Sequence, residues 1–186
     1  MDLRCFISLE LPAGVRDNIS GTVERLNAAG ADVRWVRPEN LHLTLKFLGD
    51  TPDALLPEIR GKLLEAASAF KPFSVELRGA GAFPTARHPK VVWIGVKDAD
   101  SLKGLQAAVE AAMSGLGFDP EEKRFVPHLT VGRVRSERGK DALSKGIVSL
   151  EGVSFGFVEV RSVSLMKSEL SPKGPKYSVL YDIPLG

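Results

Sequence analysis

The sequence repeats a four-residue pattern at a separation close to half its length. HLTL begins at His42 and HLTV begins at His128, so the two copies stand 86 residues apart in a chain of 186. Each copy lies between two helical patterns, and each half continues into two strands joined by a basic loop rich in Gly and Pro. A repeat of this length predicts two equivalent structural units that pack on each other.

Hydrophobic periodicity predicts the order of the elements. Helices are expected over 12–30, 53–70, 100–115 and 139–148, and strands over 3–9, 41–48, 73–79, 91–97, 153–166 and 177–183, with one more strand starting near Phe125. This order predicts an α+β fold of two pseudo-symmetric lobes, each a small antiparallel-rich sheet with helices on its outer face. Because no linker composition separates the lobes, we expect residues 1–186 to form a single bilobal domain.

Composition and charge narrow the functional classes. The single cysteine, Cys5, allows neither an internal disulfide nor a Cys-based zinc site, which favours a reducing compartment. The apolar run VVWIGV has the length of a strand, and the N-terminal apolar run is too short for a signal peptide, so we expect a cytoplasmic protein without a membrane segment. A net charge of +2 does not by itself indicate a nucleic-acid partner.

The repeated pattern H-x-T places two polar groups together on each strand. Side chains alternate between the faces of a strand, so His42 and Thr44 share one face, and His128 and Thr130 share another. Lys46 continues the polar row of the first copy and is expected to add a cation to it. Two of the three histidines have Thr two residues later, although the chain has only five threonines, which makes coincidence a poor explanation.

Three interpretations of this pattern are open. The histidines could be polar residues that hydrogen-bond within a sheet, or His42, His88 and His128 could converge on a zinc ion. Two equivalent imidazoles with two hydroxyls also suit in-line displacement at phosphorus, where a neutral imidazole removes one proton and a protonated imidazole supplies another. Histidine serves both roles because its ordinary pKa, about 6.5, leaves both forms populated near neutrality.

The context of both patterns resembles a known family. The segments WVRPENLHLTLKFLGD and FVPHLTVGR are similar to the two motifs of the two-histidine (2H) phosphoesterases, in particular the bacterial and archaeal RNA 2′,3′-cyclic phosphodiesterases, formerly called 2′-5′ RNA ligases. The similarity extends from CFISLELP through VVWIGV to SELSPKGPKYSVLYDIPL, and so covers nearly the whole chain.

The resemblance implies an active-site cleft between the lobes and hydrolysis of a terminal 2′,3′-cyclic phosphate of RNA to a 2′-phosphate. His42 is then the expected proton donor to the leaving 3′ oxygen, and His128 the expected acceptor from water. Thr44 and Thr130 match the positions that hold the phosphate. Arg133 matches an arginine that contacts substrate, but ideal alternation places it on the face opposite His128, and a bulge near Gly132 is needed to bring it round.

Further expectations concern three aromatic residues, the third histidine, the partners and the cofactors. Phe6 and Trp93 could stack on bases, Tyr177 is a similar candidate, and His88 is expected to be a surface histidine. The partners expected are RNA ends or nucleotides with a 2′,3′-cyclic phosphate, and we expect no metal or other cofactor and a monomer. Ligation through a 5′-hydroxyl, without ATP, is the reverse type of reaction. The alternatives are an RNA-binding or nucleotide-binding module without turnover and a zinc-dependent hydrolase.

Overall fold

The computed structural model of the chain describes residues 2–172 and 174–186, so Lys173 of the predicted SPKGPK turn lies outside the described residues. The α-helices are α1 (Ala13–Asn27), α2 (Leu56–Ser68), α3 (Asp100–Ser114) and α4 (Lys140–Ser149). The strands are β1 (Asp2–Glu10), β2 (Val33–Trp35), β3 (His42–Pro52), β4 (Phe73–Thr85), β5 (His88–Lys97), β6 (His128–Val134), β7 (Ser154–Val160), β8 (Ser162–Ser171) and β9 (Gly174–Pro184). Short 3₁₀ helices span Pro38–Asn40 and Asp53–Leu55.

The strands form two antiparallel sheets. Sheet A has the order β3-β1-β8-β9, and sheet B has the order β2-β6-β5-β4-β7. Helices α2 and α3 pack against sheet A, and helices α1 and α4 pack against sheet B. The predicted α+β fold of two lobes is therefore confirmed. We call the face of each sheet opposite its helices the cleft face.

The two lobes are not the two halves of the sequence. The first half supplies β1 and β3 to sheet A but β2, β4 and β5 to sheet B, whereas the second half supplies β6 and β7 to sheet B but β8 and β9 to sheet A. The helices exchange in the same way, because α1 packs on sheet B and α3 packs on sheet A. Each lobe is thus built from both halves of the repeat.

The prediction of one strand over 153–166 is wrong, because this segment forms two strands that belong to different sheets. β7 pairs with β4 in sheet B, and β8 pairs with β1 in sheet A. The side chains of Val158 and Val160 are buried on one side of Arg161, and those of Val163 and Leu165 on the other. The period of two therefore shifts by one residue at Arg161, where the chain passes from one sheet to the other.

Smaller differences concern the ends of elements. β2 has only three residues, too few to show a period, and was not predicted. β6 begins at His128 rather than near Phe125. The Gly/Pro-rich segment around Arg87 is a tight turn between β4 and β5. α2 begins at Leu56, with Pro57 in the first turn, where proline is tolerated. In the described ranges, every helix is too short or too polar to cross a membrane.

Candidate active site

The two histidines of the repeat begin strands that meet where the lobes join. His42 is the first residue of β3, an edge strand of sheet A, and His128 is the first residue of β6 in sheet B. Cα atoms of β3 and β6 come within 8 Å of each other. The fold therefore brings together the two strands that carry the H-x-T patterns.

The same hydrogen bond holds each imidazole. Nδ1 of His42 donates to the carbonyl oxygen of Asn40 at 2.7 Å, and Nδ1 of His128 donates to the carbonyl oxygen of Val126 at 2.7 Å. Because a carbonyl oxygen only accepts, the proton of either neutral ring resides on Nδ1. Nε2 of each ring is therefore the atom that takes up or gives away a proton.

His42 lies among aromatic side chains. The centroid of its ring is 4.8 Å from that of Phe6 and 5.2 Å from that of Tyr177, whose ring stands at 90° to it. Burial lowers the pKa of His42 below its ordinary value, and the hydrogen bond to Asn40 opposes this effect without cancelling it. The free protein therefore carries His42 mainly as the neutral imidazole near pH 7.

His128 has an aromatic neighbour of its own. The ring of Phe83 stands at 90° to the His128 ring with the centroids 5.0 Å apart, and Phe83 packs in turn on Trp93, with centroids 5.4 Å apart. The two imidazoles are therefore each oriented by one carbonyl group and by an edge-to-face aromatic contact. Phe83 did not stand out in the sequence, because it belongs to the strand β4 rather than to the motif.

The two threonines of the pattern lie beside buried polar atoms. Thr44 is directly opposite Ser8 on β1, and Thr130 is directly opposite Trp93 on β5. Oγ of Ser8 and Nε1 of Trp93 are buried and have no hydrogen-bond partner among the residues that the structure describes. A buried donor without a partner costs about 1–3 kcal/mol. An anionic ligand held by the threonines would find further donors there.

Arg133 lies on the same face as the second histidine. Thr130 is opposite Trp93 and Gly132 is opposite Val92, so Val131 is an extra residue in β6. Such a bulge reverses the alternation of side chains after it. Arg133 therefore projects from the cleft face that carries His128 and Thr130. The structure thus has the bulge near Gly132 that is needed to bring Arg133 onto the face of His128.

An equivalent bulge in β3 corrects the expectation for Lys46. Thr44 is opposite Ser8 and Lys46 is opposite Ile7, so Leu45 is the extra residue. The side chain of Lys46 consequently turns to the face covered by α3, where its Nζ lies 2.6 Å from Oε1 of Glu110. With 2% of its surface exposed, Lys46 is an internal ion-pair residue and adds no cation to the face of His42.

The same bulge brings Phe47 to the cleft face. Phe47 is directly opposite Phe6, with ring centroids 6.2 Å apart, and 62% of its surface is exposed. Phe47 follows its histidine by five residues, as Arg133 does, so the two occupy equivalent places in the repeat. The HLTLKF segment did not reveal this position, because alternation without a bulge places Phe47 with Leu43 in the core.

The remaining predicted residues, Phe6 and Tyr177, lie against His42. Only 3% of Phe6 is exposed, so its ring packs under the imidazole and is not available to stack on a base, which corrects that expectation. Tyr177 is half-buried, and burial raises the pKa of its phenol. The positive charges of Arg133, Arg4 and Arg34 oppose that rise.

His88 lies away from this arrangement. It is exposed next to the turn between β4 and β5, and its backbone N–H donates to Oγ1 of Thr85 at 3.2 Å. In residues 2–172 and 174–186 no group of three His, Cys, Asp or Glu side chains is placed to hold a metal ion. The three-histidine convergence considered from the sequence is therefore not formed, and the expectation of a surface histidine is confirmed.

Two facing lobes, each with an H-x-T histidine at the start of a strand, define a two-histidine phosphoesterase. The model of the LigT like Phosphoesterase family matches residues 9–93 and again residues 94–177, one match for each half of the repeat. The chain belongs to this family.

Named relatives match over nearly the full length. The RNA 2′,3′-cyclic phosphodiesterase of Methanothermobacter thermautotrophicus is 41% identical over 178 residues, which cover 96% of both proteins. The RNA 2′,3′-cyclic phosphodiesterase of Thermotoga maritima is 36% identical over 182 residues, covering 97% of this chain and 94% of that protein.

Solved structures show the same architecture. A crystal structure from Thermus thermophilus has a TM-score of 0.78 at 30% identity and covers 98% of each chain. LigT of E. coli, solved in complex with 3′-AMP, has a TM-score of 0.76 at 24% identity, covers 100% of this chain and 99% of that one, and shares the fold.

Proposed function

We propose that this protein hydrolyses the terminal 2′,3′-cyclic phosphate of RNA to a 2′-phosphate, without a metal ion. The observation that carries the proposal is the matched pair of imidazoles, in which His42 and His128 each donate Nδ1–H to a carbonyl oxygen two residues earlier. Such a pair supplies one base and one acid. The relatives named for this activity match over nearly the whole chain.

The reaction needs one proton removed and one supplied. Nε2 of His128 takes the proton of a water molecule as its oxygen attacks phosphorus. The bond between phosphorus and the 3′ oxygen breaks, and Nε2–H of His42 gives its proton to that oxygen. The products are a 2′-phosphomonoester and a free 3′-hydroxyl. A proton then passes from His128 to His42 through solvent, which restores both rings for the next turnover.

Substrate binding prepares His42 for its role. Burial holds the pKa of this imidazole below its ordinary value, so few free molecules carry the protonated form. A cyclic phosphate carries a negative charge, and an opposite charge beside an imidazole stabilises its protonated form. Substrate binding therefore favours the protonated form of His42, which acts as the general acid.

Hydroxyl and guanidinium groups hold the phosphate. Thr44 and Thr130 donate to the non-bridging oxygens, whose charge grows in the transition state. Arg133, on the same face as Thr130, contacts the substrate, and Tyr177 fixes the ring of His42. A 5′-hydroxyl in place of water would give a 2′-5′ linkage with the same acid and base.

The test is the product formed from an oligonucleotide that ends in a 2′,3′-cyclic phosphate, incubated with the protein in excess EDTA. We expect a 2′-phosphate, identified by phosphorus NMR. A main product with a 3′-phosphate would reverse the roles of His42 and His128. Tight binding without turnover would identify a binding module, and activity lost with EDTA and restored by zinc would identify a metal-dependent hydrolase.

A further inference from the structure

The hairpin of β8 and β9 extends past the strand that pairs with it in sheet A. β1 pairs with β8 over residues 164–167. In the described ranges, residues 168–171 and 174–177 pair with each other and with no third strand, and we call this part of the hairpin the ribbon. A two-stranded ribbon is only marginally stable by itself. The ribbon therefore needs contacts outside the sheet to hold it in one position.

The ribbon carries Tyr177, which lies against the first histidine. The ring of Tyr177 is in edge-to-face contact with His42, with the centroids 5.2 Å apart, and its centroid is 5.0 Å from that of Phe6. Leu170, on the other strand of the ribbon, is 77% exposed and contributes nothing to the core. The contact between Tyr177 and His42 therefore depends on where the ribbon is held.

The side chain of Asn40 holds the ribbon. Its Nδ2 donates to the carbonyl oxygen of Pro175 at 2.9 Å, two residues before Tyr177. The backbone carbonyl oxygen of the same residue accepts the hydrogen bond from Nδ1 of His42. Asn40 is buried, and its own N–H donates to the carbonyl oxygen of Arg37 at 2.9 Å, which fixes its backbone. One residue thus contacts the imidazole through its backbone and the strand of Tyr177 through its side chain.

The second copy of the repeat separates these two contacts. Val126 precedes His128 by two residues, as Asn40 precedes His42, so the two occupy equivalent places. The carbonyl oxygen of Val126 holds its imidazole at the same 2.7 Å, although the side chain of Val126 is apolar and exposed. An amide side chain is therefore not needed to orient an imidazole through the carbonyl group. The amide of Asn40 serves the contact with the ribbon.

We propose that Asn40 is a positioning residue for the general acid, because its side chain holds the ribbon so that Tyr177 stays against the ring of His42. The inference rests on the proposed function and adds a residue to it. Without this hydrogen bond the ribbon moves more freely, and the imidazole loses its edge-to-face neighbour for part of the time. The acid is then aligned with the leaving oxygen less often, which lowers kcat. The threonines still hold the phosphate, so KM changes little.

The experiment measures kcat and KM of the full-length protein on adenosine 2′,3′-cyclic phosphate. Asn40→Ala is expected to lower kcat about tenfold, the loss for about one hydrogen bond, with KM within about twofold of wild type. Asn40→Leu keeps the size of the side chain without the donor and should behave in the same way. A raised KM with unchanged kcat would overturn the proposal.

Asn18→Ala is the matched control. Nδ2 of Asn18 donates to the carbonyl oxygen of Phe155 at 3.1 Å, so the same kind of bond joins helix α1 to β7, a strand that carries neither histidine. The control should leave kcat and KM unchanged. An equal fall of kcat in Asn18→Ala would show that any lost amide bond has this effect, and would overturn the assignment to Asn40.

A double-mutant cycle tests whether Asn40 acts through Tyr177. Tyr177→Leu removes the ring and should lower kcat by a similar factor. The double variant Asn40→Ala/Tyr177→Leu should lose no more than about the larger single loss, since both changes break one chain of contacts. Losses that multiply in the double variant would show two independent roles and would overturn the proposal.

NMR distinguishes positioning from a merely structural role and needs no turnover. Burial lowers the pKa of His42, so a loosened ribbon in Asn40→Ala should raise the midpoint of its titration towards 6.5 and leave that of His128 unchanged. The amides of Lys176 and Tyr177 should exchange with solvent faster. A lower Tm with the His42 midpoint and the exchange rates unchanged would overturn the proposal. If wild type hydrolyses no cyclic phosphate, the proposed function fails, and these two measurements still decide whether Asn40 holds the ribbon against His42.

Discussion

Nζ of Lys46 and Oε1 of Glu110 lie 2.6 Å apart, joining the strand of the first histidine to helix α3. Lys46 also donates to the carbonyl oxygen of Asp119 at 2.9 Å, and Oε1 of Glu110 accepts from the backbone N–H of Glu121 at 3.1 Å. The ion pair therefore holds the start of the segment between α3 and β6 against the strand of the first histidine.

Glu110→Ala should destabilise the fold by about 3 kcal/mol, because the buried ammonium group of Lys46 then keeps only the carbonyl oxygen of Asp119 as a partner and has no opposite charge. Urea unfolding of wild type and variant measures the difference. In the double variant Lys46→Met/Glu110→Leu, most of that loss should be recovered, since no buried charge remains. A Glu110→Ala protein as stable as wild type would show that the pair contributes little.

His42→Ala and His128→Ala should each lower kcat by about 10² to 10⁴, the usual loss for a general acid or base. Because both rings act in one displacement, the double variant should lose much less than the product of the single losses. His88→Ala is the matched control, since that ring is exposed at the hairpin, and it should retain full activity. Near wild-type kcat in either single variant would contradict the mechanism.

The burial of His42 should appear in the titration of its ring. Burial lowers the pKa of the imidazole, so the midpoint of the His42 titration in the free protein, followed by NMR, should lie below 6.5. The midpoint should move to higher pH when a 2′-nucleotide is bound, since a phosphate group beside the ring stabilises the imidazolium. A midpoint that does not move on binding would argue that the phosphate does not lie beside His42.

Thr44→Val and Thr130→Val keep the shape of the side chain in a strand and remove one donor. Each should lower kcat/KM, by up to about 10² to 10³ if the hydroxyl stabilises the transition state. Thr85→Val, at the β4–β5 hairpin, is a suitable control, because its hydroxyl bonds only to the backbone of His88 in the described chain. Unchanged kcat/KM in both motif variants would place the phosphate elsewhere.

The sequence was sufficient to predict the elements with a clear hydrophobic period and the equivalence of the two histidines. A period of two places His42 with Thr44 in any regular strand, and the repeat requires the second copy to match. The way in which the two halves share the sheets could not be predicted from periodicity, because the period of a strand does not indicate which strands it pairs with. The phase shift at Arg161 was the available signal for a change of sheet.

Bulges explain where the site departs from simple alternation. An extra residue in β3 removes Lys46 from the cleft face, and an extra residue in β6 brings Arg133 onto it. The bulge in β3 has no local signature in HLTLK, since Leu45 is an ordinary strand residue, whereas Gly132 in HLTVG is a residue that often marks a bulge. The strand β2 was missed for a different reason, because it is held in place by pairing with β6 and has no pattern of its own.

The exchange of strands between the halves affects how the protein unfolds. A cut between β5 and α3 would give two fragments, each holding two strands of sheet A and part of sheet B. Neither fragment contains a complete sheet, and the helices α1 and α3 would each be left without the strands they cover. We therefore expect the chain to unfold as one cooperative unit, in which losing the environment of either imidazole also dismantles that of the other.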